Sequence, residues 1–141
     1  MPFALLSRRR VLGAAALLPL CAVGQPVVPS RAVPFEPGRG SHHATVSGAL
    51  AGPDDDAQDH VLRGRGGQKL AVALASTSSA THFHVLPPQS ADALFRGDVA
   101  RATRWEGPLP ADGEYRIRVF LERAAALDGV VARYTLDIAL F

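Results

Sequence analysis

WEGPLPADGEYRIRVFLER, residues 105–123, is the stretch that decides the fold. In its second half apolar and mostly polar residues alternate, the apolar ones being Tyr115, Ile117, Val119 and Leu121. A period of two is typical of a β-strand that turns one face toward a core. Residues 110–113, PADG, supply the proline and glycine of a tight turn just before it. The stretch therefore predicts a turn followed by a long, half-buried strand.

A second alternating run follows residues 123–129, and its apolar row consists of Ala132, Tyr134, Leu136, Ile138 and Leu140. Two such strands joined by a short loop predict an antiparallel hairpin. Keeping both apolar rows inside gives the cross-strand pairs Val119–Tyr134, Ile117–Leu136, Arg116–Asp137 and Phe120–Arg133. The opposite charges of Arg116 and Asp137 support this register.

The rest of the chain is typical of further short strands separated by turn residues. About seven or eight strands are expected, with turns spaced as in antiparallel sandwiches and no helix longer than about two turns. Trp105 is expected to bury the largest area in the core. The predicted fold class is all-β, a single-domain antiparallel β-sandwich or jelly roll over residues 41–141.

The first 24 residues have the pattern of an export signal. SRRRVL at residues 7–12 matches the twin-arginine pattern, and the apolar run 11–20 is too short for a permanent membrane span. Small residues at positions 22–24 permit cleavage before Gln25. We predict a twin-arginine signal peptide at residues 1–24 and a periplasmic or secreted protein with no stable transmembrane span. The general secretory route is the alternative path of export.

Cys21, the one cysteine of the chain, lies inside this signal. Cleavage after residue 24 would leave a mature protein without a disulfide. The alternative is a lipoprotein acylated at Cys21, which a bulky leucine before the cysteine disfavours. Residues 25–40, QPVVPSRAVPFEPGRG, have four prolines and no alternation. They predict an extended linker with little regular structure.

The charge of the mature chain argues against a nucleic-acid partner. The full chain has 15 basic and 13 acidic residues, a net charge of +2. Arg8, Arg9 and Arg10 would leave with the signal, so the mature chain has 12 basic against 13 acidic residues. Since no basic run interleaved with aromatic residues remains, nucleic-acid binding is not expected.

No residue pattern points to catalysis, a cofactor or a metal. The chain lacks a Gly-x-Ser-x-Gly elbow, a metalloprotease helix, a dinucleotide loop and a cysteine nucleophile in its mature part. His82 and His84 alternate on one predicted strand and could supply half of a zinc site. The other ligands would come from His42, His43 or His60. Two exposed histidines opposite a buried row are the favoured interpretation. Because the sequence has no catalytic pattern, the protein is predicted not to be an enzyme.

The order of four motifs resembles a known family. The motifs are FHVLPP at residues 83–88, ALF at 93–95, the stretch 105–123, and ARYTLDI at 132–138. Together they are similar to the bacterial periplasmic inhibitor of goose-type (g-type) lysozyme and its secreted relatives, over roughly residues 45–140. The resemblance implies a small exported β-sandwich that binds an enzyme and has no activity of its own.

The resemblance also implies a binding site. A rigid sandwich can block a lysozyme cleft by inserting a loop whose cationic groups bind the catalytic acids. Residues 123–129 hold this loop position, with Arg123 as the matching donor and Arg118 on the adjoining strand as a second candidate. Leu127 and Asp128 stand where the family has basic companions, and they complete the predicted partner-binding set. The alternative is that Arg118 is a solvated cross-strand residue and Arg123 an ordinary loop charge.

These replacements leave a second function class open. An acidic Asp128 would repel catalytic carboxylates, and Pro53 with the aspartates after it replaces aromatic loop residues of the family. A general cell-envelope module that binds a protein or a glycan would instead use the Ala-Leu loop as an apolar contact. The predicted partner is thus a g-type lysozyme or another envelope protein. No oligomeric state follows from the sequence, because sheet edges can pair.

Overall fold

The computed structural model describes residues 27–35 and 40–141. Their regular elements are the strands β1 (Ser30–Ala32), β2 (His42–Ala51), β3 (Ala57–Gly64), β4 (Lys69–Ser76), β5 (Thr81–Leu86), β6 (Phe95–Arg96), β7 (Arg104–Pro108), β8 (Gly113–Leu121) and β9 (Val131–Leu140), with the helices α1 (Gly97–Ala100) and α2 (Arg123–Leu127). The all-β prediction is confirmed, with nine strands in these residues rather than seven or eight.

The strands form two sheets that face each other across one core. Sheet A has the order β1-β3-β8-β5-β6, and sheet B has the order β2-β9-β4-β7. The pairs within both sheets are antiparallel, except for the parallel pair β1–β3. This arrangement is the predicted β-sandwich.

The two alternating rows that the sequence places in the core are buried. In β8 these residues are Tyr115, Ile117, Val119 and Leu121, and in β9 they are Ala132, Tyr134, Leu136, Ile138 and Leu140, all less than 5% exposed. Each large apolar side chain buried in this way contributes about 1.5–3 kcal/mol. The hydroxyl of Tyr115 donates a hydrogen bond of 2.6 Å to the carbonyl of Ala111, which fixes the turn before β8.

The predicted hairpin is wrong, because β8 and β9 lie in different sheets. In sheet A, β8 pairs with β3 and β5, whereas β9 pairs with β2 and β4 in sheet B. Val119 therefore lies opposite Gln58 and Phe83 rather than Tyr134. Alternation determines which face of a strand is buried, but it does not determine the neighbouring strand. Residues 122–130 carry the chain from one sheet to the other.

The segment predicted to be a linker contains β1. The amide of Asp59 donates to the carbonyl of Pro29 at 2.8 Å, and the amide of Val33 donates to that of Val61 at 2.9 Å. Val33 is only 9% exposed, so the folded domain begins before residue 41. The predicted signal peptide, including Cys21, lies outside the described residues.

Trp105 is not the main core residue that the sequence predicted. It is partly exposed on the edge strand β7 of sheet B. Its ring stacks on that of Phe95, on the edge strand β6 of sheet A, at a centroid distance of 6.2 Å. Tyr115 and Phe83 are the largest fully buried side chains of the described residues. Gly107 makes room for the indole, because a Cβ there would lie 2.5 Å from the Trp105 ring.

A polar pair joins the two sheets inside the core. Nε2 of His60 on β3 lies 2.8 Å from the hydroxyl of Tyr134 on β9, and both residues are at most 3% exposed. Burial lowers the pKa of His60 and raises the pKa of Tyr134 to about 12, so both side chains are neutral near pH 7. Gly48 on β2 leaves space for the Tyr134 ring, since a Cβ there would lie 2.6 Å from its hydroxyl.

Candidate binding site

The predicted loop is a short helical projection, which we call the α2 tip and define as residues 122–131. It begins where β8 leaves sheet A, and the Glu122 amide donates to the carbonyl of Ala80 at 2.9 Å. Alanine and leucine favour a helix over residues 123–127. Ala126 is 1% exposed and anchors this helix to the core. The sequence prediction of a loop missed this helix, although three consecutive alanines signalled it.

Backbone hydrogen bonds close the α2 tip on its far side. The Asp128 amide donates a hydrogen bond to the carbonyl of Ala124 at 3.0 Å, and the Gly129 amide donates one to the carbonyl of Ala126 at 3.2 Å. Gly129 has a φ of +76°, which a glycine adopts easily at the end of a helix. The Val130 amide, just before β9, donates a hydrogen bond to the carbonyl of Ala125 at 3.0 Å. A tip held in this way loses little conformational entropy on binding.

The outer surface of the α2 tip combines one cation with apolar side chains. Arg123 is exposed, and its side chain makes no hydrogen bond or ion pair within the described residues. Leu127 is 61% exposed and Val131, at the start of β9, is 60% exposed. Sequence reasoning missed Val131, although its place outside the buried row of β9 was the signal. Of the predicted set, Arg123, Leu127 and Asp128 therefore lie together on this tip.

Several acidic residues lie at the same end of the sandwich as Arg123. Asp128 is exposed on the α2 tip, and Asp54 and Asp55 are exposed on the turn between β2 and β3. That turn adjoins the tip, because the Leu121 amide donates to the carbonyl of Asp56 at 2.8 Å. Oε1 of Glu122 lies at hydrogen-bond distance, 2.6 Å, from Nε2 of His82. Within the described residues the α2 tip thus carries one cation without an ion pair, at an end that also carries Asp54, Asp55 and Asp128.

Arg118, the second predicted donor, lies away from the α2 tip on the outer face of sheet A. Its Nε donates to Oδ1 of Asp59 at 2.7 Å, and its Nη2 donates to Oδ2 at 2.9 Å. These hydrogen bonds to Asp59 raise the pKa of Arg118. Asp59 is 1% exposed, and a buried carboxylate of this kind requires a cationic partner. Arg118 is thus a cross-strand residue whose partner is Asp59, and its contact with a binding partner stays a prediction.

The two histidines of β5 share the outer face of sheet A, as the alternation predicts. Nε2 of His84 lies 2.8 Å from Oδ1 of Asp98, and its hydrogen bond lowers the pKa of that carboxyl. The ring of Phe120 lies beside both imidazoles, with centroid distances of 5.8 Å to His82 and 4.6 Å to His84. The described residues contain no group of three or more potential ligands that could hold a metal ion. None of their helices is both long and apolar enough to cross a membrane.

The fold is similar to that of solved periplasmic lysozyme inhibitors. The crystal structure of Aeromonas hydrophila PliG, a periplasmic inhibitor of g-type lysozyme, matches 82% of this chain and 100% of its own at 29% identity, with a TM-score of 0.67. The PliG of Salmonella Typhimurium matches over the same shares at 22% identity and a TM-score of 0.62. The resemblance found in the sequence is thus confirmed in three dimensions.

A more distant fold match comes from another class of secreted protein. The pre-peptidase C-terminal domain of a Bacillus anthracis collagenase covers 79% of this chain and 94% of its own, at 11% identity and a TM-score of 0.54. This likeness shows the fold alone. A scan against protein-family models finds no match for the chain, and a search of curated proteins finds none either.

Proposed function

We propose that this protein is an exported, non-catalytic inhibitor that works in the periplasm and blocks the active-site cleft of a g-type lysozyme with its α2 tip. The observation that supports this most is an exposed Arg123, without an ion pair in the described residues, on an anchored tip. The similarity to the Aeromonas hydrophila inhibitor gives the fold context in which such a tip would act.

The chemistry of a muramidase cleft suits an arginine. Such enzymes cleave glycans with a pair of carboxyl groups, at least one of which is ionised. A guanidinium can donate two parallel hydrogen bonds to a carboxylate, and these bonds strengthen when water is excluded. Leu127 and Val131 are exposed on the same α2 tip and would exclude water from such a contact, as apolar residues do around interface hot spots.

The acidic setting of the α2 tip opposes this docking but does not abolish it. Asp128 would approach the same carboxylates as Arg123 and repel them. The Glu122 carboxylate already has a partner, since Nε2 of His82 lies 2.6 Å from it. We therefore propose that apolar contacts by Leu127 and Val131 supply a larger part of the affinity than they would on a more basic loop.

The test is a clearing assay on bacterial cell walls with the mature chain from Gln25. Equimolar protein should slow a g-type lysozyme, whereas a lysozyme of an unrelated fold should keep its rate. Binding by calorimetry on the same samples should show one lysozyme for each α2 tip. A g-type lysozyme that clears cell walls at full rate in the presence of excess protein would contradict the proposal.

A second candidate function is a cell-envelope module that binds a protein or a glycan without inhibiting an enzyme. The exposed apolar pair Leu127 and Val131 in an acidic setting favours it. This module would bind soluble cell-wall fragments, or an envelope protein other than lysozyme, and leave clearing rates unchanged. Clearing rates separate the two functions, because only the inhibitor should slow a g-type lysozyme. Heat with purified cell-wall oligosaccharides would in addition identify a glycan-binding module, since the inhibitor should give none.

A further inference from the structure

The outer face of sheet B carries a groove of about 450 Å³ that lies outside the α2 tip. Strand pairing places Ala73 of β4 between Asp137 of β9 on one side and Arg104 of β7 on the other. The floor consists of half-buried alanines from β4 and β9, namely Ala71, Ala73 and Ala139. The volume of the groove lies within the size range of ligand-binding clefts.

The two sides of this groove carry opposite charges. Oδ1 of Asp137 accepts a hydrogen bond of 2.8 Å from Oγ1 of Thr45, which orients the carboxylate. Arg104 is exposed, and its side chain makes no hydrogen bond or ion pair in the part of the chain that the structure describes. Glu106, two positions further along β7, is already in an ion pair with Lys69 at 2.5 Å. The groove therefore has an anionic side at Asp137 and a cationic side at Arg104.

We propose that this groove binds a short peptide with free termini, which lies across the strands with its ammonium on Asp137 and its carboxylate on Arg104. Neighbouring strands are about 4.8 Å apart, so the backbones of these two residues, on either side of β4, are separated by about 9.6 Å. An extended chain spans about 3.3–3.6 Å for each residue, so a tripeptide covers about 10 Å. Length and charge together therefore favour a zwitterion of the size of a tripeptide.

The chemistry of the groove favours a peptide over a glycan. A neutral sugar would leave both charges without a counter-charge, whereas the two termini of a peptide supply one charge-assisted hydrogen bond partner for each side. The Trp105 ring does not offer a free stacking surface for a sugar, because it stacks on Phe95 of sheet A at a centroid distance of 6.2 Å. The alanine floor leaves room for a peptide backbone and small side chains.

The groove is separate from the α2 tip, so the peptide proposal does not rest on the inhibitor proposal. Asp137 lies six positions beyond Val131 along β9, which at about 3.4 Å for each residue is a distance of about 20 Å. A peptide in the groove would leave Arg123 exposed. Peptide binding can be measured without a lysozyme, and inhibition can be measured without a peptide, so the failure of one proposal leaves the other standing.

The experiment is a titration of the isotope-labelled mature chain from Gln25 with trialanine, followed by amide chemical shifts. Trialanine should shift the amides around Ala73, Arg104 and Asp137 until the groove is saturated, and it should leave residues 122–131 unchanged. N-acetyl-trialanine lacks the terminal ammonium, and trialanine amide lacks the terminal carboxylate. Each should bind about fivefold more weakly than trialanine, which is the upper range for one exposed ion pair.

Two charge variants assign each terminus of the peptide to one side of the groove. Asp137→Asn should bind trialanine and N-acetyl-trialanine equally and still bind trialanine amide more weakly. Arg104→Gln should show the converse, with trialanine and its amide equal. Comparing variants and ligands in this way isolates each ion pair from the general effect of a substitution. Arg133→Gln is the matched control, because Arg133 is exposed on β9 outside the groove. It should discriminate among the three peptides as the wild type does.

Ala73→Leu tests the floor, because the larger side chain would occupy the groove and should abolish the shifts. Amide shifts outside the groove report whether this variant is folded. The inference is overturned if trialanine causes no saturable shifts around Ala73, or if both charge variants discriminate among the peptides as the wild type does. Cell-wall oligosaccharides that shift these amides when trialanine does not would also overturn it, in favour of a glycan site.

Discussion

Arg118 and Arg123 are five positions apart in sequence, but their side chains differ in their hydrogen bonding and exposure. Arg118 lies on sheet A and makes two hydrogen bonds to the buried Asp59. Arg123 lies on the α2 tip, exposed and without an ion pair in the described part of the chain. One arginine therefore stabilises the body of the protein, and the other is available to a partner.

The difference between them comes from their neighbours, since the residue type is the same. Asp59 pairs directly across from Arg118 on β3, and β1 covers the edge beside it. Among the described residues no acidic side chain is paired with Arg123, because α2 leads the chain out of sheet A at that point. A guanidinium that must compensate a buried carboxylate is a poor donor to a partner, because leaving would expose an uncompensated charge.

The largest expected effect is on stability, from Arg118→Ala. Removing this arginine leaves the Asp59 carboxylate buried without its two hydrogen bonds, which should lower the free energy of unfolding by about 3 kcal/mol. Urea denaturation followed by circular dichroism measures this. Arg116→Ala is the control, because Arg116 lies 4.0 Å from the same carboxylate and is half exposed. A loss for Arg118→Ala no greater than that for Arg116→Ala would remove the distinction between the two arginines.

The next effect is on inhibition, from Arg123→Ala. The loss of a charged hydrogen bond should weaken inhibition of a g-type lysozyme by about 1.5–3 kcal/mol. The free energy of unfolding should change by less than about 0.5 kcal/mol, because the side chain is exposed. Arg65→Ala is the matched control, since Arg65 is exposed beyond β3 at the opposite end of the sandwich. Equal inhibition by both variants would mean that Arg123 does not contact the lysozyme.

Leu127→Ser tests the apolar part of the α2 tip. Loss of this contact should weaken inhibition by about 1 kcal/mol, the scale of one or two buried methylene groups. Val99→Ser is the control, because Val99 is 71% exposed on α1, outside the tip. Inhibition titrations of both variants measure the effect. The proposal of an apolar contribution fails if both variants inhibit as the wild type does.

Asp128→Asn should act in the opposite direction, with the smallest effect on binding. Removing a carboxylate that faces an acidic cleft should strengthen inhibition by about 0.5 kcal/mol at low salt. The gain should shrink as salt screens the repulsion. A salt series of inhibition constants for this variant and the wild type measures it. A gain that persists unchanged in high salt would show that repulsion is not the cause.

The pH dependence of stability should come from the body, through His60, and leave the tip unaffected. Burial lowers the pKa of His60 below its usual 6.5, so the unfolded chain binds this proton more tightly than the folded chain. The stability that the neutral imidazole provides is complete above pH 6.5 and is lost as the pH falls below it. Urea denaturation between pH 8 and about 5 should show this loss in the wild type. His60→Gln should lack that component, and an identical pH profile would contradict the assignment.

The sequence was sufficient for the faces of the strands and insufficient for their neighbours. Alternation in residues 115–121 and 132–140 correctly identified the buried rows, because that signal is local. The pairing of β8 with β3 and β5 depends on contacts far along the chain, which no local pattern contains. β1 was missed because three residues in a proline-rich segment are too few to show an alternating pattern.

The candidate site was predictable in part. Arg123, Leu127 and Asp128 follow a strand end, so their common position on the α2 tip could be inferred from the chain itself. Arg118 could not be assigned, because its partner Asp59 is distant in sequence and lies on an outer face that β1 helps to cover. A buried aspartate on an outward position breaks the alternation rule, and only the folded arrangement reveals the reason.

We propose that the α2 tip, and not the arginines of sheet A, contacts the partner. Amide chemical shifts of the labelled mature protein during titration with a g-type lysozyme test this most directly. We expect changes in residues 122–131 and in the adjoining turn 52–56, with residues 116–118 and Asp59 unaffected. Changes centred on Arg118 and the outer face of sheet A, with an unperturbed α2 tip, would contradict it.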